Sequence, residues 1–243
     1  MTYHHGDLRA ALLATAEARI RASGPASVSL RGLARDLGVS HAAPAHHFGT
    51  LRGLFTALAT EGHRLMGEAM ERAQRSGGFA EVGVAYVAFA VDHPAHFGVM
   101  FTPDLLELDD PGLAAARAAT LGQLGAGARG VAPGGAAGSR APGGAAGSRV
   151  PGAAAAALAA WSLVHGLATL HLSGSLGDPA VRGVVGGAAV QGAGSRPDGG
   201  SEVDAAAARK DVLAMARRAT AVLFAGSRTG ADLEAPDPVP AGR

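Results

Sequence analysis

The stretch SLRGLARDLGVSHAAPAHHF, from Ser29 to Phe48, limits the possible folds more than any other part of the chain. Leu30, Leu33, Ala34 and Leu37 recur at helical spacing and line one face of a short helix. Gly38 follows at once, where a helix ends in a residue of positive φ. Ser40 is placed to cap a second helix by accepting from its free N–H groups. That helix carries Ser and His on its outer face. Two short helices joined by a tight glycine turn form a helix-turn-helix, whose second helix is free to enter a DNA major groove.

The rest of the chain suits helices. It is 48% hydrophobic and 17% charged, enough apolar material for a core. Alanine, the best helix former, is abundant, and no sustained alternating pattern marks a strand. The expected class is therefore all-α. There is no cysteine, which excludes disulfides and thiolate metal sites and fits a reducing compartment. The chain has no basic-then-apolar leader, and no uncharged apolar run of membrane-spanning length is recognised. A soluble cytoplasmic protein with no membrane partner is the expectation.

Charge is unevenly spread. Residues 1–55 contain Arg9, Arg19, Arg21, Arg31, Arg35 and Arg52 against Asp7, Glu17 and Asp36. The overall net charge is only +1, so the remainder is slightly acidic. A basic module at one end of an acidic body suits phosphate contact at that end.

Glycine, proline and capping residues divide the chain into segments. Helices are expected at residues 7–23, in the helix-turn-helix with its second helix from about 41 to 47, and at 51–76, 79–91, 110–126, 153–173 and 204–225. Pro44 sits inside the short second helix, where its missing N–H is tolerated only in the first turn, so that helix effectively starts late. APGGAAGSR occurs twice in direct succession from Ala132. It holds no large apolar residue and cannot offset the entropy of its own ordering. Glycine-rich loops are therefore expected at about 129–152 and 183–202, and a disordered tail at 227–243. The domain reading is a head at 1–50 and a body at 51–226.

YHHGDLRAALLATAEARI and SLRGLARDLGVSHAAPAHHFGTLRGLFTAL resemble the DNA-binding domain of TetR-type transcriptional regulators in order and spacing. AWSLVHGLATLHL, with Trp161, His165 and Gly166, is similar to the Trp-His-Gly signature of a subgroup's C-terminal domain. AYVAFAVDHPAHFGVMF resembles the block preceding it. The resemblance implies a three-helix DNA-binding head on a helical ligand-binding and dimerisation body. Two positions depart from the family pattern. Ala45 and Leu51 stand where such proteins usually carry Tyr and Lys, both of which commonly touch phosphate.

The residues expected to face DNA are Ser29, Arg31, Ser40, His41, Ala42, Ala45, His46, Thr50 and Arg52. Alanine can pack on a thymine methyl, and Ser and His can bond base edges or phosphate. Arg31, Thr50 and Arg52 are phosphate candidates, which set register. Phe89, His93, Phe97, Met100, Phe101, Trp161 and His165 are expected to line an effector pocket, with Trp161 and His165 sharing a helix face. Gly166 is expected to permit close helix approach. His93 and His96 have a spacing that can converge on one ion, but sequence fixes no third ligand, so no metal and no cofactor is assigned. Nucleophile elbows, phosphate loops and paired carboxylates are missing, so no enzyme activity is expected. The functional expectation is a homodimeric repressor on a palindromic double-stranded DNA operator, released by a small-molecule effector. The alternatives are a DNA-binding protein without an effector, or a helical dimerisation or adaptor protein that has lost strong DNA binding.

Overall fold

The computed structural model describes residues 5–131, 152–181 and 202–225. Among the described residues there are nine α-helices and no strand. They are α1 (His5–Ser23), α2 (Leu30–Asp36), α3 (Ala43–Phe48), α4 (Leu51–Gly77), α5 (Phe79–Asp92), α6 (Pro94–Met100), α7 (Pro111–Val131), α8 (Gly152–Leu172) and α9 (Glu202–Ala225). The all-α class is as expected. The APGGAAGSR repeat, most of the second glycine-rich segment and the tail lie outside the described residues.

The head is α1 to α3. Ser29 caps α2 by accepting from Gly32 N at 3.1 Å. Gly38 takes a φ of +65°, the left-handed conformation that glycine reaches without strain. Ser40 does not cap α3. Its carbonyl accepts from Ala43 N at 3.0 Å in a turn, and α3 begins only at Ala43. Pro44 then falls in the first turn, where its missing N–H has no intrahelical partner to lose. Thr50 caps α4, its Oγ1 accepting from Gly53 N at 2.9 Å.

α4 belongs to head and body alike. Leu54, Phe55, Leu58, Ala59, Met66 and Met70 are buried along it. They join Leu12, Ala16 and Leu33 of the head and Val87, Val99 and Leu113 of the body in one core. In the body, α5 packs on α4, α8 and α9, and α7 packs on α4 and α8. Gly83 sits where α5 meets the last two helices: a Cβ there would lie 2.8 Å from Thr220 Cγ2.

Two expectations fail in α8. Gly166 does not serve close packing within the chain, because nothing among the described residues lies within 4 Å of where its Cβ would stand. Residues Ala154–Leu172 are long and apolar enough, by length and composition, to cross a membrane, and only 17% of that window is buried. The interspersed Ser162, His165, Thr169 and His171 break up the run in the sequence and hide its overall apolar character. Leu158 and Leu170 are among the exposed large apolar residues.

Two consequences are measurable. A Cβ at Gly53 would lie 2.1 Å from the Phe48 carbonyl oxygen, a backbone atom that cannot rotate away. Gly53→Ala is expected to cost about 1–3 kcal/mol in urea denaturation through this overpacking; an unchanged midpoint would contradict the packing. Burial, and secondarily Arg117, holds the pKa of His63 down at about 4 from 6.5. The folded chain therefore keeps His63 neutral while the unfolded chain takes up a proton below pH 6.5. Stability is complete above that pH and falls as pH drops towards 4, by up to about 3 kcal/mol from this group. Urea titrations at pH 7 and pH 5 are expected to show the fall, and His63→Leu to reduce it.

Candidate functional site

All nine residues expected to face DNA are exposed on the head or the start of α4. Ala45 and His46 lie on the open side of α3, while Pro44 is buried and His47 and Phe48 are half-buried. The Arg9 guanidinium sits over the Phe48 ring, 5.3 Å from its centre. Arg31 has no hydrogen-bond or ion-pair partner among the described residues, so its charge is free for phosphate.

Thr50 and Arg52 are placed differently. The Thr50 hydroxyl donates to Glu107 Oε1 at 2.6 Å while capping α4. The Arg52 guanidinium donates to the Leu106 carbonyl at 2.5 Å. Glu107 N in turn donates to Thr56 Oγ1 at 2.9 Å. These bonds tie the start of α4 to the segment before α7. Both side chains are already engaged with the body, and nothing near them in sequence signals it. Leu51 is half-buried and packs against the core, which accounts for an apolar residue there.

The seven expected pocket residues separate into groups. Phe97, Phe101, Trp161 and His165 gather around Tyr86, which the sequence reading missed. The Trp161 indole N–H donates to the Tyr86 hydroxyl at 3.3 Å, and that hydroxyl lies 2.8 Å from His165 Nδ1. Tyr86 is 1% exposed, so its own proton is directed to His165 Nδ1, leaving the imidazole proton on Nε2. Burial raises the Tyr86 pKa and lowers that of His165, so both are neutral near pH 7. The His165 ring packs 4.6 Å from Phe101 and 5.4 Å from Phe97, centre to centre. Met100 instead abuts Gly62 of α4, where a Cβ would lie 2.5 Å from its sulfur.

Phe89 and His93 form a second group, stacked with centres 4.9 Å apart. His93 leads to His96, and both meet Glu17 of α1. One ligand-type atom from each of the three lies within 4.8 Å of the others. His96 Nδ1 is 3.9 Å from Glu17 Oε1, and Nε2 is 3.8 Å from Glu61 Oε2. Among the described residues neither nitrogen has a hydrogen-bond partner, although the side chain is only 4% exposed. Burial lowers the His96 pKa, against the pull of Glu17 and Glu61.

An open groove of about 970 Å³ runs between α1, α4 and α7. Its walls include Glu17, Glu61, Glu68, Glu107, Ala116 and Thr120, and none of the seven expected pocket residues. Its acidic groups come from helices far apart in sequence, which is why no local motif revealed it.

Residues 79–184, most of the body, match the family model described as the tetracyclin repressor-like C-terminal domain. This part of the chain is a tetracyclin repressor-like C-terminal domain. A protein of unknown function from Rhodococcus sp. RHA1 is similar in structure at a TM-score of 0.58 and 29% identity, covering 92% of this chain and 99% of that one. The TetR family transcriptional regulator PfmR of Thermus thermophilus shares the fold at a TM-score of 0.52 and 18% identity, covering 88% and 97%. A possible TetR family transcriptional regulator of Streptomyces coelicolor does so at 0.50 and 17%, covering 91% and 99%. A comparison with curated proteins found no match.

For this C-terminal domain the Tyr86 triad gives a direct test. Tyr86→Phe leaves the Trp161 N–H and His165 Nδ1 unpaired, at an expected cost of about 1–3 kcal/mol in urea denaturation. Trp161 is the only tryptophan, so its fluorescence reports the loss specifically. An unchanged spectrum and midpoint would contradict the bonding.

Proposed function

We propose that the regulator is a homodimeric, cytoplasmic repressor that binds a palindromic DNA operator and is released by a small-molecule effector, without catalysing a reaction. The observation that carries the DNA reading is the exposed face of α3. Ala45 and His46 are presented to solvent there and His41 and Ala42 in the turn before it, beside Arg31, which is unpaired among the described residues. Base edges would be read by His41, His46 and Ala45, and register set by Ser29, Ser40 and Arg31. Thr50 and Arg52 join the phosphate set only when they release Glu107 and Leu106. The head is taken as residues 1–50 and the body as 51–226.

The dimer reading is supported by the outward face of α8. Leu158, Ala159, Ser162, Gly166, Thr169 and Leu170 follow one another at helical spacing on a helix that is mostly unburied. A face of small residues and leucines that is uncovered among the described residues suits the same face of a second copy, with α9 alongside, as a four-helix bundle. A dimer interface also accounts for the apolar character of α8 without a membrane.

For the effector, the groove under the head is the better site, because the Trp161 N–H, the Tyr86 hydroxyl and His165 Nδ1 already satisfy one another. Its volume is that of a small-ligand site. Its carboxylates suit a cationic amphipathic molecule. Occupied, it would wedge α1 away from α4 and α7 and shift the population from the DNA-competent arrangement. The closed Tyr86 cluster also favours a second reading, a DNA-binding protein with no effector, which the Ala116→Trp variant below distinguishes.

Gel-shift titration against DNA selected from a random library tests these roles. Arg31→Ala is expected to weaken binding about tenfold on every sequence and to lower the salt slope by about 1. His41→Ala is expected to change the preferred sequence. The opposite pattern contradicts the assignment. Leu158→Glu is expected to yield monomers by light scattering and to lose operator binding. Ala116→Trp, which fills the groove, is expected to keep DNA binding and lose release by cationic amphiphiles; equal release contradicts the groove.

A further inference from the structure

Among the described residues, three potential metal ligands converge where the head meets the body. Glu17 comes from α1, and His93 and His96 from the start of α6. We propose that these three residues bind one divalent transition-metal ion of the zinc class, and that the ion clamps α1 against α6.

The donor set selects the metal. Two imidazoles and one carboxylate make a three-ligand zinc set with a fourth position left for water. Calcium and magnesium prefer oxygen ligands throughout. Zinc ligands lie about 2.0–2.2 Å from the ion, so they stand about 3.4 Å apart in a tetrahedron. The atoms here are within 4.8 Å of one another, so ligation requires them to draw together by up to about 1.4 Å.

His96 supplies the second observation. It is 4% exposed, and among the described residues neither ring nitrogen has a partner within hydrogen-bond distance, Glu17 and Glu61 standing 3.9 and 3.8 Å away. A buried polar ring left in that state is costly unless something binds it. Ligation through Nδ1, the nitrogen nearer Glu17, leaves Nε2–H pointing at Glu61 at 3.8 Å. A carboxylate behind a ligating histidine is the usual means of orienting the ring and raising its basicity. His93 is fixed from the other side by its stack on Phe89.

Competition for Glu17 is weak. Its Oε1 accepts from Arg21 at 2.7 Å, but Arg21 is 57% exposed, and such surface pairs contribute little. Glu17 and Glu61 also line the open groove, which gives an ion a path inward. The ion would join residues from two domains, so loading would restrict the head. Its effect on DNA rests on the repressor reading; its binding does not.

The test is calorimetric titration of Zn²⁺ into the tag-free, metal-stripped full chain, with Co²⁺ absorption as a second readout. One equivalent of Zn²⁺ per chain is expected, with a ligand-field band for Co²⁺. Glu17→Gln and His93→Gln are each expected to weaken uptake about tenfold or more. His41→Gln, on the exposed head, is expected to leave it unchanged. Circular dichroism of each variant checks that the fold is kept. No saturable uptake, or full uptake by the Glu17→Gln/His93→Gln double variant, overturns the site. Gel shifts with and without Zn²⁺ test the clamp. A change of about tenfold or more in DNA affinity, absent in the double variant, supports it, and equal affinity overturns it. A chain that takes up Zn²⁺ as described but shifts no DNA in either state overturns the repressor reading and leaves the site standing.

Discussion

One apolar face of α4 holds the described protein together. The helix runs for 27 residues and carries ten buried ones. Its first turns complete the core of the head through Leu54 and Leu58, and its later turns build the body through Met66 and Met70. A single rigid element shared by both parts means that a body rearrangement and a head rotation are mechanically one event. Side chains packed at interior density do not deform gradually, so such a helix moves between discrete positions.

The polar contacts between head and body are the parts that can change at low cost. Thr50 to Glu107, Arg52 to the Leu106 carbonyl, and the approach of His96 to Glu17 all lie near the surface or the groove. The exposed Thr50 to Glu107 bond adds little stabilisation, because such pairs are screened and compete with water. That weakness suits a switch. In the proposed repressor, two of these contacts occupy side chains that DNA phosphate would also claim, so operator binding and the body's hold on α4 would draw on the same atoms.

Much of the helical layout was legible because its signals are local. Ser29, Thr50, Gly38 and Pro44 act within one turn of themselves, and the structure puts each where local chemistry requires. Ser40 misled because a serine before a helix can cap or merely turn, and the late start forced by Pro44 decides between them. The body was less legible. Tyr86 lies far in sequence from Trp161 and His165, and no spacing rule connects them. Phe89 stacks on His93, which approaches Glu17 of α1, and Met100 abuts Gly62 of α4, whereas Phe97 packs on Tyr86 and Phe101 on Phe97. The third potential ligand for His93 and His96 stands on α1, and the groove has walls from three separate helices. Sites assembled from distant segments appear only once the fold brings them together.

The most direct test of the central claim, that two copies of this chain read one symmetric DNA site, is selection of bound sequences from a random library followed by the native mass of the complex. Enrichment of an inverted repeat with half-sites about one helical turn or somewhat more apart, bound by two chains, is the expected result. No enrichment, or one chain on a site without symmetry, would contradict it.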